Sequence, residues 1–363
     1  MKVLDKYILK KYFTSFFFTI ILLIPIAIAI DISEKMSKFL AYKELSVYQI
    51  IKEHYLNFVI FYTNMFMPLA LFIAIVMFVS KMAKNTEIVA ITSGGISFTR
   101  FLRPFLIGST IIFVIALYAN HFVVPNANKV SEAFFRKYLT KNPKYNKTYV
   151  KNINMQLDEN GNYVFIRDFN LKNKSGSYFS FENFKGKQLK YKLTARNIKY
   201  IDSTNSYQLR NVKKRHILKN NDIIQKIQKM DTVFDFKPKD LVYVDYLAKE
   251  MNSIDLYKHI KKSEKRGIKN LNAYRVELYK RTSLPFSAFI LSIIAVALTH
   301  KKKRGGTGIN LAVGVSLLFI YVFFMKVTEV MGASATSNAL LLVWIPNVLY
   351  SIIAIYLYYN AQK

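Results

Sequence analysis

Few residues in this 363-residue chain have the types and spacing that chemistry needs. There is no cysteine, so disulfide frameworks, zinc ribbons, iron–sulfur clusters and thiol nucleophiles are excluded. The five histidines, His54, His121, His216, His259 and His300, are scattered, and no two lie at zinc-ligand spacing. No phosphate-binding G-x-x-x-x-G-K-[ST] loop occurs; Arg304-Gly305-Gly306-Thr307-Gly308 has the glycines but no following lysine. No Ser/His/Asp order is defensible within the strand-rich stretch between the third and fourth apolar runs. The chain therefore reads as a non-enzyme, with no catalytic residue, metal or cofactor of its own, and any energy it uses must be supplied by another subunit.

What remains is charge placed beside apolar sequence. After one apolar run, Asn85 is positioned to cap a short helix over about 85–93, with Thr86 and Glu87 at its start, where the positive end of the helix dipole favours an acid. Gly94-Gly95 ends it, and Ser97 caps the helix that follows. Ile88, Val89 and Ile91 make the segment partly apolar. Two readings fit: a turn on the membrane surface, or a helix that docks in a groove of a cytoplasmic partner, with Glu87 facing a basic residue there. Lys35, Lys38 and Arg136 follow two other apolar runs. At headgroup level such cations either hold lipid phosphates or snorkel, with stems on apolar surface and heads in water. Lys326 and Glu329, at i, i+3, read as a local ion pair without a special role.

The elements that must position these residues are membrane helices. Lys+Arg number 53 against 22 Asp+Glu, a net charge of +31, yet 52% of residues are hydrophobic and 15% aromatic. That excludes disorder and argues against a soluble nucleic-acid-binding protein. Charge-free runs cover Tyr12–Ile30, Tyr55–Ser80, Pro104–Asn128, Thr282–Thr299, Gly305–Met325 and Val330–Gln362, the last broken by Gly332-Ala333-Ser334. A bilayer core about 30 Å thick needs about 20 helical residues. Spans are expected at about 12–31, 57–80, 101–124, 281–300, 307–327 and 339–358. With both termini inside, the short inner segments hold 13 Lys/Arg and the short outer segments 5. The positive-inside rule then makes the termini cytoplasmic and puts residues 125–278 outside.

Residues 1–124 thus form one membrane half and 279–363 the other. The stretch between them carries a net +18, which suits an anionic passenger or a generally basic proteome equally. A rival reading takes Ala27-Ile28-Ala29 as a signal-peptidase site, but the apolar run is long for a signal peptide and Asp5 dilutes the basic start. Within 125–278, Leu189, Tyr191, Leu193 and Ala195 alternate with Lys190, Lys192, Thr194 and Arg196, the period of a half-buried strand. Tyr163–Ile166 and Tyr178–Phe181 are further strand-type runs between turn clusters. Ser253 is placed to cap a helix running to about Arg266, stopped by Gly267.

Taken in order, several segments resemble the lipopolysaccharide export permeases of the LptF/LptG type. They are Val3-Leu4-Asp5-Lys6-Tyr7-Ile8, Ser80–Ala90 with its Gly94/Gly95 stop, Phe101-Leu102-Arg103-Pro104 and Val124-Pro125. Glu277-Leu278-Tyr279-Lys280-Arg281, Leu284-Pro285 and Gly305-Gly306-Thr307-Gly308 complete the series. The opening segment leans to the LptG side. The resemblance implies six transmembrane helices, three on each side of a β-jellyroll-like periplasmic domain, in the bacterial inner membrane. It implies half of an ABC-type exporter, paired with a second LptF/LptG-type permease above an LptB-like ATPase dimer that holds ATP and Mg. Lipopolysaccharide would be taken from the outer leaflet and passed to an LptC/LptA-like bridge. By the same resemblance Glu87, flanked by Thr86 and Ile88, stands where the family contacts its ATPase, and Lys35, Lys38 and Arg136 lie near family phosphate contacts. Two other classes remain beside it. One is an ATPase-coupled mechanical or scaffolding protein that carries no lipid. The other is a secondary transporter, which the charge-free span interiors disfavour.

Overall fold

A computed structural model describes residues 3–42, 44–139, 149–157, 161–186, 188–218, 221–241, 246–265, 271–300, 306–334 and 336–362. The helices are α1 (Val3–Leu40), α2 (Val47–Lys84), α3 (Glu87–Ser93), α4 (Phe98–Leu139), α5 (Tyr246–Glu250), α6 (Ser253–Lys265), α7 (Asn272–Thr299), α8 (Gly306–Gly332) and α9 (Ala339–Gln362). Six of them, α1, α2, α4, α7, α8 and α9, are long and apolar enough to cross a membrane. Each contains one of the expected spans, but α1, α2 and α4 extend well past theirs. Charge ends an apolar run without ending a helix: Lys35 and Lys38 continue α1 because lysine is a good helix former.

Val124-Pro125 likewise does not end α4, although residue 125 was the expected boundary between membrane half and outer domain. A π turn over Ala119–Val123 precedes Pro125 and loosens the backbone ladder where proline has no N–H to give. The chain divides into two compact units. The first comprises Met1–Leu139, Leu247–Leu256 and Asn272–Lys363, and the second Thr140–Tyr246 and Tyr257–Leu271. The helical unit thus reaches 14 residues beyond position 125 and recovers two short pieces of the segment expected outside it.

The helical unit is joined by hydrogen bonds across an apolar core that includes Leu71, Phe72, Phe105, Ala288 and Leu291. Tyr12 of α1, 1% exposed, meets Ser109 of α4 at 3.2 Å, and Ser109 donates to Ser292 of α7 at 2.7 Å. Gly108 permits this approach, since a Cβ there would stand 2.7 Å from the Tyr12 ring. Asn347 of α9 accepts from Tyr321 of α8 at 2.6 Å and donates to the Ser283 carbonyl of α7 at 2.8 Å. Where water is absent, such polar contacts and close small-residue packing replace the hydrophobic effect as the glue between helices.

The second unit is a six-stranded antiparallel sheet in sequential order, β1 (Tyr149–Gln156), β2 (Asn162–Asn170), β3 (Ser175–Lys185), β4 (Gln188–Ile201), β5 (Ser206–Ile217) and β6 (Asp222–Thr232). This matches the expected jellyroll-like, strand-built domain between the third and fourth spans, with all described strands paired as a meander. The alternation read through Ala195 shifts phase immediately after it. On β4, Leu193 and Ala195 are buried, then Ile198 and Tyr200, leaving Arg196 and Asn197 both outward. The same slip falls at Arg167-Asp168 on β2 and Arg210-Asn211 on β5, in the same row of the register as Arg196-Asn197. Along this row Asn152, Tyr178 and Asn211 have positive φ (52°, 53° and 52°), one on every second strand. The row inserts no extra residue, since the register is the same on either side of it; it is a backbone kink carried from strand to strand that re-aims the side chains beyond it.

Ser253 does not cap α6. Asn252 does, its Oδ1 accepting from Asp255 N at 2.8 Å, and Ser253 Oγ is taken up elsewhere. Gly267, the expected stop, lies outside the described residues.

Candidate functional site

Two regions of the helical unit bring charged side chains together in ways that bear on function, one at the N-terminal end of α1 and one at its C-terminal end, with a cavity beside the second. At the first, α3 spans Glu87–Ser93, two residues shorter at its start than expected. Asn85 closes α2 instead of capping α3. Thr86 holds the cap position with a left-handed φ of 62° and makes no side-chain capping bond. Gly94 ends the helix, Gly95 follows at φ 78°, and Ser97 caps α4 by accepting from Arg100 N at 3.3 Å.

Glu87 is half-buried: its Oε2 accepts from Tyr7 of α1 at 3.0 Å and its Oε1 from Asn85 at 3.4 Å. Thr86 is exposed. Ile88 is 4% exposed and sits in the chain's own core, so it anchors α3, while Val89, at 56%, is the apolar side chain presented outward. Nearby, Arg100 makes a bidentate pair with Asp5, at 2.6 and 2.9 Å, and Asp5 is 5% exposed. Sequence reasoning treated Asp5 only as diluting the basic start. The arginine 95 positions away carries no local signal of the pairing.

At the C-terminal end of α1, all three expected cations are found, and they differ. Lys35 is paired to Asp31, which also meets His54 Nε2 at 2.8 Å and Tyr55 at 3.4 Å. Lys38 is exposed. Arg136 donates to Glu250 of α5 at 2.5 Å. Two of the three therefore already hold carboxylates of this chain. His54 and Arg136 both lie in π turns, Ile50–Tyr55 of α2 and Phe135–Leu139 of α4, where the extra residue rotates the helix face.

None of the three expected cations lines the cavity of the helical unit. The cavity has a volume of about 290 Å³ and is bounded by α2, α4, α7, α8 and the segment that re-enters the helical unit after the sheet. Its interior is apolar, with Phe61, Phe66, Leu69, Leu318, Phe319 and Met325. Its rim carries Lys249, Glu277, Lys280, Arg281, Lys326 and Glu329. Arg281, 2% exposed, organises one side: it donates to the Ala248 carbonyl at 2.8 Å and to Ser253 Oγ at 3.0 Å, and pairs with Glu277 at 3.4 Å. His121 Nδ1 meets the same Ser253 hydroxyl at 2.7 Å. The available signal was Glu277, Lys280 and Arg281 crowded immediately before an apolar run, which puts three charges on one helical turn at the interface. The cavity is at the low end of small-ligand pockets, large enough for part of an acyl chain and too small for a many-tailed lipid. Among the described residues no group of His, Asp and Glu could hold a metal ion.

Residues 6–360 match the family model described as Lipopolysaccharide export system permease LptF/LptG. No curated protein matches the chain.

Proposed function

Because the chain belongs to the LptF/LptG family of lipopolysaccharide export permeases, a multi-pass inner-membrane transport family, we propose that it forms one half of an ABC-type exporter that lifts lipopolysaccharide from the outer leaflet. The observation that carries this reading is the cavity's division of labour, apolar between the helices and charged at the rim. A glycolipid with phosphates at headgroup level and acyl tails below presents the same division. The small volume supports a shared chamber, completed by a second permease of the same type. Both termini and α3 are cytoplasmic in this reading, and the sheet unit is periplasmic and hands the lipid to an LptC/LptA-like bridge.

Energy comes from an LptB-like ATPase dimer that holds ATP and Mg. Its groove receives α3, with Thr86 and Val89 presented to it and Glu87 held in place by Tyr7. Of the three cations expected from sequence, Lys38 is the exposed one and meets the lipid's phosphates without first giving up a carboxylate. Lys35 and Arg136 join the contact only by exchanging Asp31 and Glu250 for the lipid. The family's transport chemistry is non-covalent, and this chain's part in it is binding and shape change.

The test is lipid release from proteoliposomes containing both permeases and the ATPase. Met325→Trp, which fills the cavity, should lower release and photocrosslinking of lipopolysaccharide to α8, whereas Phe17→Trp on the exposed side of α1 should change neither. Glu87→Lys should leave the complex assembled but uncouple ATP hydrolysis from release. Normal release by Met325→Trp would refute the cavity as the lipid's place, and normal coupling by Glu87→Lys would refute the role of α3.

A further inference from the structure

The pair Lys326–Glu329 reads from sequence as a contact within one helix. In the structure Glu329 bridges two helices. Its Oε1 accepts from Lys280 Nζ of α7 at 2.7 Å, and its Oε2 from Lys326 Nζ of α8 at 3.0 Å. One carboxylate thus lies between two ammonium groups at the rim of the apolar cavity. The six charged rim residues, four basic and two acidic, leave two net positive charges there. Of these two bonds, the one from Lys280 ties α8, a wall of the cavity, to α7.

We propose that Glu329 is an internal stand-in for a lipid phosphate. In the empty cavity its carboxylate occupies the place between Lys280 and Lys326 that a phosphate monoester of the headgroup takes, and its displacement unpins α8 from α7. This rests on the cavity being the lipid's place. An ammonium group near the membrane interior is costly to leave unpaired, so a cationic site that must stand empty between cargoes needs an anion of its own. That anion must also be exchangeable. Glu329 qualifies because its side chain is 24% exposed and therefore still hydrated. A phosphate monoester carries up to two charges and three acceptor oxygens, so it outcompetes a single carboxylate for two ammonium donors. Cargo binding and the loosening of a cavity wall are thereby one event, in which the lipid replaces the bond that held the wall.

The experiment uses the full chain with its partner permease in nanodiscs, with diphosphoryl lipid A and its fully dephosphorylated form as probes. Glu329→Gln should bind the diphosphoryl lipid about three- to tenfold more tightly than the parent, the size of one partly screened ion pair. It should bind the dephosphorylated lipid unchanged. Glu329→Asp, which keeps the charge, should stay near the parent. Spin labels on the Lys280 side of α7 and the Lys326 side of α8 should report in lipid-free Glu329→Gln the separation that the parent reaches only with diphosphoryl lipid. Equal affinities of parent and Glu329→Gln for the diphosphoryl lipid, while Met325→Trp still weakens both lipids, would overturn the stand-in and spare the cavity. If Met325→Trp weakens neither lipid, the cavity reading itself fails. Inorganic phosphate that separates the labels at millimolar concentration without any lipid would overturn the assignment to a headgroup.

Discussion

Charge is handled in opposite ways by the two units. In the helical unit several charges near the spans are tied by geometry: Asp5 with Arg100, Asp31 with Lys35 and His54, Glu250 with Arg136, and Glu329 with both Lys280 and Lys326. In the sheet unit the cations are numerous and stand outward, and their pairs are open to water, as with Lys174–Asp202, whose side chains are 39% and 66% exposed. The physical reason is the solvent around each. Water screens the sheet's charges, so their number sets a field and not a structure. A charge beside hydrocarbon must have a partner, and the partner fixes where a helix end goes.

This contrast is testable by breaking it, beginning where the effect is largest. Asp5→Ala should give the largest loss, because it removes the buried carboxylate that holds Arg100 and so unties α1 from α4. The measurement is thermal unfolding in detergent, and Asp5→Ala/Arg100→Ala should recover part of the loss. Gly108→Leu forces a side chain against the Tyr12 ring and should cost about 1–3 kcal/mol by the same assay. In the sheet, Asn211→Val places a β-branched residue at φ 52° and should lose about 1–2 kcal/mol, whereas Asn211→Gly should be near neutral. Proteolysis of the sheet unit in the full-length protein distinguishes the two. Lys174→Ala should stay within about 0.5 kcal/mol, and a loss as large as that of Asp5→Ala would dissolve the contrast.

The smallest effect is one of pH. The Arg167 guanidinium, 2.9 Å away, holds the Asp168 carboxyl below the usual carboxylate range, with Ser177 adding a bond at 3.2 Å. A depressed carboxylate stabilises the fold above its unfolded value near 4, and that support fades as pH falls through the lower folded value. Parent and Asp168→Asn should therefore differ slightly at pH 6 and converge in strong acid. A difference that grows on acidification would show the sign to be wrong.

How much of this molecule is legible in its sequence depends on the range of the interaction. Six spans and the sheet domain between the third and fourth follow from local composition, because about 20 apolar residues cannot stay in water and an alternating run must bury one face. The short helix at Glu87 follows from Gly94-Gly95 and Ser97, signals within one turn of the ends they set. The cap was misassigned because Asn85 and Thr86 are both acceptable by type, and only the backbone decides between them. The alternation on β4 is lost after Ala195 because a kink carried across the paired strands is a property of their pairing.

The sequence by itself determined the apolar lengths, the class of fold and the family, since each rests on neighbouring residues or on their order along the chain. Tertiary structure alone decided the partners: Asp5 with Arg100, Glu329 with Lys280, Arg281 with the returning segment, and the cavity they rim. A charge near a membrane declares that it needs a counter-charge but not which one, and that choice is made by helix packing among residues 49, 95 and 114 positions apart.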